Sequence, residues 1–539
     1  MKRSFVITLL FALLAQVHAA DKDVAAIRNF IASRAGLEPY TGDTKCATRY
    51  QLGVLQYWNE LDARDQRIWL SEVKLDTARS EAIVTPSGHF MLHWDNTGFN
   101  AVPQADISGN GIPDYIDSAM VIFDQVWETE ITYLGYPPPP GPDGNPVNLY
   151  HIYFSNLGYY GLTWFDKQLN IENKIKYTSF MEIENDFAGF YSPGLKGLKV
   201  TAAHEFHHAI QLGYNVRQAD FFFYEMTSTW MEEYNYPEIN DYRQYLDEFF
   251  MDFSNTPFDY YNQFTFFPYG NFLYVQMLSQ LYGTDIVRLI WNDMLDHPSL
   301  EALRNVLSRP PYNSSWLRSL GEYGCWLYFT GDRYVPGSYF PEAAGYPEIL
   351  ITTADTYMFP DQVPQDASVS ELASYYLRFI GARGADINLL VTAAAFGDGG
   401  YRLLSGSEAT GLYSLGETFS ADGIAADTLV LQLVNAQNLE RVYGLDLSTS
   451  VTTEISLGPN PVRIANGDRE VLFRNIPEDG QIFVFSAGGL QVAHIEENPS
   501  PTRVWDLKNK RGEPVASGIY IYIIKSATVE HTGKLAVIR

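Results

Sequence analysis

Cysteine and basic residues are scarce in this sequence. Its 539 residues include two cysteines, too few for a scaffold built from disulfide bonds. Lysine and arginine number 37 against 64 aspartates and glutamates, which gives a formal net charge of −27. Because phosphates and anionic lipids are bound by basic side chains, this charge argues against nucleic acid as the main partner and against an anionic membrane surface. The chain is 46% hydrophobic and 15% aromatic, which excludes a disordered protein.

Long apolar runs are equally scarce, and the most prominent one stands at the N-terminus. Residues 5–14 are apolar apart from Thr8, follow a short basic start and precede small residues. This layout predicts a secretory signal peptide over residues 1–20, and no later run approaches the 18 apolar residues of a membrane span. Export would place the mature chain in an oxidising compartment, where Cys46 and Cys325 could pair; the sequence leaves their pairing open.

The pattern of predicted secondary structure changes near residue 350. Between about 21 and 350, helical periodicities are mixed with short strands. Beyond that point, strands separated by turn clusters recur at regular spacing, and Gly-Pro-Asn-Pro at 458–461 interrupts them. We therefore predict a multidomain α+β protein, with a mixed helix and strand domain at 21–350 and two small all-β sandwich modules at 351–455 and 456–539.

The residues able to carry chemistry are concentrated in a predicted helix at 199–212. It contains the motif H-E-x-x-H at His204, Glu205 and His208. Residues four apart lie on one face of a helix, so the two imidazoles can bind one Zn²⁺ ion. Glu205 lies further round the helix, where it can take a proton from a water molecule that the metal has acidified. The motif therefore predicts a zinc site with Glu205 as the catalytic base.

A zinc site of this kind needs a third protein ligand. One large class of zinc proteases extends the motif to H-E-x-x-H-x-x-G-x-x-H, with the last histidine as the third ligand. This chain has Gln211 and Tyr214 in place of that glycine and histidine, so it does not belong to that class. A second predicted helix at 224–234 offers Glu225 as the ligand, with Glu232 two turns later as the acceptor of a histidine N–H. Glu232 itself and a distant histidine are the alternative third ligands. Those histidines are His89, His93 and His151.

The two helices together resemble a known pattern. H-E-F-H-H-A-I-Q at 204–211, followed by Y-E-M-T-S-T-W-M-E at 224–232, resembles the gluzincin pattern and, more closely, a family of secreted metalloproteases found in myxobacteria and related bacteria. N-G-I-P-D-Y at 110–115 also matches that family, while Ser228 replaces its usual alanine. The resemblance covers about residues 85–345 and implies a zincin-like fold, a zinc ion and hydrolysis of peptide bonds.

Residues 106–117 match the twelve-residue calcium loop of EF-hands. Oxygen-bearing side chains fall at loop positions 1, 3, 5, 9 and 12, with glycine at 6 and a backbone carbonyl at 7. These ligands are Asp106, Ser108, Asn110, Asp114 and Asp117, with Ile112 supplying the carbonyl. We predict a structural Ca²⁺ ion here, and the alternative is a glycine- and asparagine-rich loop closed by Asx turns.

The C-terminal module resembles a secretion signal. Pro-Asn-Pro at 459–461, Gly-Gly at 488–489, Trp-Asp at 505–506 and G-E-P-V-A-S-G-I-Y at 512–520 are similar to the C-terminal sorting domains of the type IX secretion system and to the related immunoglobulin-like domain of flagellar hook caps. The resemblance implies a secreted or cell-surface bacterial protein that contacts this secretion machinery. From the residues alone, the alternative is a small antiparallel sandwich that stabilises the chain or binds a partner.

Together these patterns predict a secreted zinc-dependent endopeptidase that acts on polypeptides. His204, His208 and Glu225 hold the metal, and Glu205 activates water and then protonates the leaving amine. An aromatic hydroxyl or an imidazole must support the oxyanion, and the candidates are His207, Tyr234 and Tyr269. The alternatives are a calcium-stabilised surface or adhesion protein with an inert zincin-like domain, and a metal-dependent hydrolase of non-peptide bonds.

Overall fold

The computed structural model describes most of the chain. The described residues are 23–38, 40, 45–71, 78–262, 265–393, 398–421, 423–450, 455–458, 460–464, 469–474, 476–477, 479–496, 502–527 and 530–539. The signal peptide predicted at 1–20 lies outside them. Within these ranges, no helix is both long enough and apolar enough to cross a membrane.

The N-terminal half contains a mixed five-stranded sheet. Its strands are β1 (Glu81–Val84), β2 (Phe90–Trp94), β3 (Tyr150–Ser155), β4 (Gly161–Ile171) and β5 (Lys174–Glu184), in the order β1-β2-β3-β5-β4. β2, β3 and β5 run parallel, whereas β1 and β4 are antiparallel to their neighbours. β4 is therefore an edge strand of this sheet.

Helices precede, interrupt and follow this sheet in the sequence. They are α1 (23–34), α2 (Thr48–Gln56), α3 (Ala63–Ser71), α4 (Asp114–Trp127), α5 (Leu195–Gln211), α6 (Phe221–Asn235), α7 (Leu246–Asp252), α8 (Phe267–Gly270), α9 (Phe272–Tyr282), α10 (Asp285–Asp293), α11 (Ser299–Ser308) and α12 (Trp316–Tyr328). α5 lies between the sheet and the other helices, in contact with β4, β5, α4 and α6. Every residue from Val200 to Gln211 is buried. A polar side chain on this part of α5 must therefore find its partner inside the protein.

The apolar periodicity of residues 118–133 predicts one helix, and the structure places α4 at different bounds, Asp114–Trp127. It starts at Asp114, directly after Pro113, whose φ of −55° suits the entry to a helix. Asp114 and Asp117 stand in the first turn, where negative charge interacts favourably with the helix dipole. The last part of the predicted helix is a π-helix, Glu128–Tyr133.

Beyond residue 350 the chain forms two pairs of β-sheets. The strands of the first pair are β6 (Thr356–Met358), β7 (Asp366–Val369), β8 (Ala373–Ile380), β9 (Asp386–Ala393), β10 (Gly399–Ser405), β11 (Glu408–Ala409), β12 (Tyr413–Ser414), β13 (Thr418–Ala421), β14 (Thr428–Asn435) and β15 (Arg441–Ser450). One sheet has the order β11-β10-β14-β8-β6, with β12 also paired to β10, and the other has the order β13-β9-β15-β7. The two sheets share an apolar core that includes Leu377, Leu389 and Leu431.

The second pair of sheets is smaller. Its strands are β16 (Ser456–Gly458), β17 (Val462–Arg463), β18 (Val471–Arg474), β19 (Gln481–Ser486), β20 (Gln491–Ile495), β21 (Arg503–Trp505), β22 (Gly518–Lys525) and β23 (Glu530–Ile538). They form sheets of order β16-β18-β21 and β17-β23-β22-β19-β20 around a separate core with Phe473, Trp505 and Tyr522. The mixed helix and strand layout with several sheets confirms the predicted multidomain α+β class.

The largest core extends past residue 350 and joins the helices to the first pair of sheets. It includes side chains of α12 together with Tyr376 and Val434 of β8 and β14. The Tyr376 hydroxyl donates a hydrogen bond to the carbonyl of Gly324 at 2.9 Å. A Cβ added at Gly324 would lie 2.7 Å from both that hydroxyl and the Oγ of Ser374. The sheet therefore packs directly on the backbone of α12.

Candidate metal centre

Helices α5 and α6 bring the side chains of the motif to one buried point. His204, Glu205 and His208 on α5 and Glu225 on α6 are each at most 1% exposed. The centroids of the two imidazole rings are 4.7 Å apart, and the ring planes meet at 85°. Nε2 of His204 lies 3.3 Å from Oε2 of Glu225, and Nε2 of His208 lies 3.6 Å from the same oxygen. Three predicted ligands from two helices thus converge.

Apart from these contacts with each other, the converging atoms lack partners. Among the described residues, none forms a hydrogen bond with Nε2 of His204, Nε2 of His208 or either carboxylate oxygen of Glu225. Buried polar groups are normally hydrogen bonded, so a convergent set without partners is one that a cation would satisfy. Two imidazoles and one carboxylate are the protein ligands of a common type of catalytic zinc site. The residues present therefore fit a zinc ion.

Outer hydrogen bonds fix the orientation of both imidazoles. Nδ1 of His204 lies 2.7 Å from Oε1 of Glu232, and Nδ1 of His208 lies 2.7 Å from Oε1 of Gln211. The amide nitrogen of Gln211 donates in turn to the carbonyl of Tyr224 at 3.0 Å, which sets which end of the amide faces His208. With Nδ1–H donating a hydrogen bond to an oxygen, the neutral form of each ring presents the lone pair of its Nε2 to the centre.

Glu205 lies beside the centre with one carboxylate oxygen engaged. Its Oε2 accepts hydrogen bonds from Oγ1 of Thr163 at 2.7 Å and from Oγ1 of Thr48 at 3.1 Å. Its Oε1 has no hydrogen-bond partner in the described part of the chain. Gly161 permits this arrangement, because a Cβ at that position would lie only 2.9 Å from Cγ of Glu205. The edge strand β4 therefore passes directly against the motif.

When no cation is bound, protons balance the charge at the centre. Burial lowers the pKa of His204, but the carboxylates of Glu225 and Glu232, 3.3 Å and 2.7 Å from its ring nitrogens, outweigh burial and raise that pKa to about 9. Burial raises the pKa of Glu225, but the charge of His208 and the close contact with His204 outweigh burial and hold that pKa well below its usual range. A protonated imidazole thus stands where a divalent ion would supply the positive charge.

Of the three residues predicted to support an oxyanion, Tyr269 lies at the centre. Its ring stacks on that of His204, with centroids 5.9 Å apart and planes 5° from parallel. Its hydroxyl is buried and has no hydrogen-bond partner among the described residues. Burial, followed by the neighbouring charge of Glu225, raises the pKa of Tyr269 well above its usual value, so the hydroxyl remains a donor.

His207 and Tyr234 have other surroundings. Nδ1 of His207 lies 3.0 Å from Oε2 of Glu130 in the π-helix, and burial lowers the pKa of this histidine well below its usual value. The ring of Tyr234 lies 5.1 Å from that of Trp230 near the end of α6, with the two planes tilted by 38°. The contacts of His207 and Tyr234 are thus with groups other than the three predicted ligands, and their oxyanion role stays a prediction.

The distant histidines considered as third ligands also lie apart from Glu225. His93 and His151 stand next to each other on β2 and β3, with ring nitrogens 2.9 Å apart. His89 stacks on Trp127 with ring centroids 3.8 Å apart. Neither arrangement includes a residue of α5 or α6.

A side chain that the sequence did not associate with the motif also reaches the centre. The potential ligand atoms of Cys46 and the three predicted ligands all lie within 4.8 Å of one another. Burial, with the charges of Glu205 and Glu225, raises the pKa of the Cys46 thiol well above its usual value. Cys46 and Cys325 are both free, and Cys325 lies elsewhere, with Sγ 3.9 Å from the hydroxyl of Tyr339. The disulfide considered from the sequence is therefore not formed.

The residues that contact the carboxylates of Glu232 and Glu205 were also not predicted from the sequence. Nζ of Lys45 lies 2.9 Å from both Glu232 and Asp241. Thr48 and Thr163, which hold Glu205, come from α2 and β4. No local spacing connects these positions with the motif, and only the tertiary fold brings them together.

The loop at 106–117 is held by its own backbone amides. The carboxylate of Asp106 accepts hydrogen bonds from the amides of Gly109 at 2.7 Å and Gly111 at 2.9 Å. These bonds, with that of Gly111 foremost, lower the pKa of Asp106. Asn110 donates through its side chain to Asp117 at 2.9 Å. The loop thus has the Asx-turn arrangement considered as the alternative, and calcium binding stays a prediction.

Comparison with protein families gives one match. The model of a family of unknown function, DUF6055, matches residues 69–307. The H-E-x-x-H motif, Glu225 and Glu232 lie inside the matched region, and Cys46 lies outside it. No curated protein matches the chain.

Similarities to solved structures are weak. PorZ, a surface component of the type IX secretion system of Porphyromonas gingivalis, is 17% identical with a TM-score of 0.15, over 20% of this chain and 15% of that one. The adhesin domain of Epf from Streptococcus pyogenes is 11% identical with a TM-score of 0.15, over 32% of this chain and 76% of that one. A β-glucuronidase of Faecalibacterium prausnitzii is 10% identical with a TM-score of 0.11, over 30% and 36% of the two chains. The chain thus spans well under half of the length of the first and third of these proteins.

Proposed function

We propose that residues 21–350 form a zincin-like metallopeptidase domain and that the protein is a secreted zinc-dependent endopeptidase. One observation carries this proposal. Two imidazole nitrogens and the carboxylate of Glu225 converge in a buried space, without other hydrogen-bond partners among the described residues, directly beside Glu205. His204, His208 and Glu225 would hold the zinc ion, which would supply Lewis-acid activation of water and of the scissile carbonyl.

Glu205 would act as the general base and then as the general acid. Its Oε1 carries no hydrogen bond from the described residues, so it is able to accept the proton of the attacking water. The hydroxyl of Thr163 holds Oε2 and so keeps the carboxylate in place during the transfer. The proton then passes from Glu205 to the nitrogen of the leaving amine.

Tyr269 and Glu232 would support this chemistry. The Tyr269 hydroxyl is a buried donor without a partner in the described chain, beside His204, and would donate to the carbonyl oxygen as negative charge develops on it. Glu232 keeps the His204 ring in position through its Nδ1.

The position of β4 favours a polypeptide substrate over a non-peptide bond. β4 is the edge of the sheet and passes within contact distance of Glu205 at Gly161. An edge strand recognises an extended peptide through backbone hydrogen bonds, without a requirement for particular side chains. A substrate paired to this edge would bring its own backbone to the catalytic carboxylate.

Two further assignments extend the proposal to the rest of the chain. We infer from the sequence resemblance that residues 456–539 are a sorting domain recognised by the type IX secretion machinery, which directs the protein to the medium or to the cell surface. We also infer that the loop at 106–117 binds a structural Ca²⁺ ion.

The test is metal analysis of the mature protein combined with hydrolysis of a casein-derived peptide. Wild-type protein and Glu205→Gln should both contain one zinc ion per chain, and His204→Ala should contain none. Glu128→Gln, which changes an exposed carboxylate far along the chain from the motif, is the matched control. Absence of zinc from wild-type protein purified without chelators would overturn the proposal.

A further inference from the structure

Residues 45–49 lie against the centre at the outer side of β4. Cys46 forms a parallel bridge with Gly161, and the amide of Ala47 donates to the carbonyl of Gly161 at 2.9 Å. The amide of Thr163 donates to Oγ1 of Thr48 at 2.8 Å. The segment thus pairs with the sheet edge that an extended substrate would use. It also contacts the catalytic carboxylate through Thr48.

A buried cation anchors this segment. Lys45 is 2% exposed, and its ammonium lies 2.9 Å from both Glu232 and Asp241. Glu232 also accepts a hydrogen bond from Nδ1 of His204. The anchor of the segment and the orientation of a metal ligand therefore depend on the same carboxylate.

The side chain of Cys46 completes a set of four ligand atoms. It is 1% exposed, and its sulfur lies in the group with ligand atoms of His204, His208 and Glu225 that are all within 4.8 Å of one another. Zinc is almost always four-coordinate in closed sites, whereas catalytic sites keep the fourth position for water or substrate. A thiolate among two imidazoles and a carboxylate makes a closed set.

We propose that Cys46 is a fourth protein ligand of the metal and that residues 45–49 close the centre, so that the chain folds into a latent form. This proposal rests on the zinc site proposed above. The thiol proton leaves to solvent as the metal binds. Activation requires the segment to leave the edge of β4, which frees the fourth coordination position and the peptide-binding edge in one movement. The segment precedes the region matched by the family model, which begins at residue 69.

The first measurement needs no activity and uses the full mature chain. In zinc-loaded wild-type protein, X-ray absorption should show one sulfur neighbour at about 2.3 Å beside the nitrogen and oxygen neighbours at about 2.0–2.2 Å. In cobalt-substituted wild-type protein, sulfur-to-cobalt charge-transfer absorption should appear. Both signals should vanish in Cys46→Ser. They should persist in Cys325→Ser, the matched variant of a buried thiol that lies elsewhere in the fold.

The outcomes separate this proposal from the proposed zinc site. Stoichiometric cobalt without a sulfur signal in wild-type protein would overturn the role of Cys46 and leave the three-ligand site standing. A sulfur signal that persists in Cys46→Ser and disappears in Cys325→Ser would also overturn it. Failure of wild-type protein to bind either metal would overturn the zinc site and with it this proposal.

The second measurement concerns closure. Cys46→Ser with a full complement of zinc should hydrolyse a short peptide at least about tenfold faster than wild-type protein. It should also lose zinc to a chelator faster, because the fourth ligand is weakened. Cys325→Ser should match wild-type protein in both assays. Equal rates of hydrolysis and of zinc loss in Cys46→Ser and wild-type protein would overturn the latent state.

Discussion

Glu232 accepts a hydrogen bond from Nδ1 of His204 at 2.7 Å, and the ammonium of Lys45 lies 2.9 Å from the same carboxylate. A buried carboxylate that loses a cationic partner becomes more basic and holds its remaining donor more strongly. Departure of Lys45 would therefore strengthen the bond from Glu232 to His204. The opening of the N-terminal segment and the electron-donating strength of a metal ligand are thereby coupled.

The ligand set can be tested residue by residue. His204→Ala, His208→Ala and Glu225→Ala should each abolish stoichiometric zinc binding, because each removes one of the few protein ligands of the site. Glu232→Gln should weaken zinc binding by about 10–100-fold without abolishing it, since it removes only the support of His204. The measurement is competition with a chelator of known affinity. Retention of zinc by Glu225→Ala together with its loss from Glu232→Ala would move the third ligand to Glu232.

Glu205→Gln should keep zinc and lose turnover. An amide cannot accept the proton of the attacking water, so peptide hydrolysis should fall by about 10²–10⁴-fold or more. The assay should be run both in the native chain and in the Cys46→Ser background, so that latency does not mask the difference. Zinc content and melting temperature should stay at the values of the parent chain. Hydrolysis at the parental rate would remove Glu205 from the mechanism.

Zinc affinity should rise with pH between about 7 and 9. The pKa of His204 in the metal-free centre is raised from 6.5 to about 9, so the ring is protonated at neutral pH and the ion must displace that proton. Each displaced proton makes the affinity rise about tenfold per pH unit, and the rise from His204 ends above its pKa. Chelator competition across this range is the measurement. An affinity independent of pH would contradict the protonated state of His204.

The raised pKa of His204 also determines how the stability of the metal-free protein changes with pH. Because the folded pKa of His204 lies above 6.5, its contribution to the free energy of unfolding is complete below that pH and is lost as the pH rises through about 9. The depressed pKa of Glu225 acts oppositely, and its contribution is lost only at acidic pH. The melting temperature of chelated protein should therefore fall between pH 7 and 9, and zinc should suppress that fall.

Calcium should raise the melting temperature of the wild-type protein. Binding of an ion to the folded state alone stabilises that state, and the loop at 106–117 offers hard oxygen ligands. Asp106→Ala should remove the calcium-dependent shift and leave the zinc content unchanged, because Asp106 bonds within the loop and not to the centre. An identical calcium response in both proteins would assign the ion to another site or to none.

The last prediction concerns the C-terminal module. A chain that ends near residue 455 keeps the centre, whose residues all lie upstream of β6. It should bind zinc like the full chain, and in the native host it should accumulate in the periplasm. Fractionation of cells that express the truncated and full-length chains tests this, with melting curves of both. Normal export of the truncated chain, with a lower melting temperature, would indicate a stabilising module instead of a sorting signal.

The parts of the site that local sequence could predict are those carried by single helices. His204 and His208 are one turn apart on α5, and Glu225 and Glu232 are two turns apart on α6, so periodicity alone places each pair on one face. The same reasoning predicted that Glu232 accepts from a histidine N–H, and the structure identifies that histidine as His204. The multidomain α+β class followed from the change near residue 350, where mixed helical and strand patterns give way to strand patterns.

The remaining parts depend on contacts between positions distant in the sequence. Thr48 and Thr163 meet although 115 positions separate them, and Lys45 meets Glu232 across 187 positions. No periodicity encodes such pairings. The long hairpin of β4 and β5 was also missed, because its outer half carries lysine, glutamine and asparagine in place of a clear apolar alternation. Without that hairpin, Cys46 had no visible connection with the motif.

The packing at Gly324 limits which β-sandwich can be joined to the helical region. The first pair of sheets packs through Ser374 and Tyr376 on a bare patch of α12 backbone, and Gln432 donates to the carbonyl of Gly321 at 3.1 Å. A helical region joined by chance to an unrelated sandwich would inherit this patch without the side chains that fill it. Exchange of the first pair of sheets alone would therefore leave this patch of α12 unfilled, whereas the C-terminal module has a core of its own.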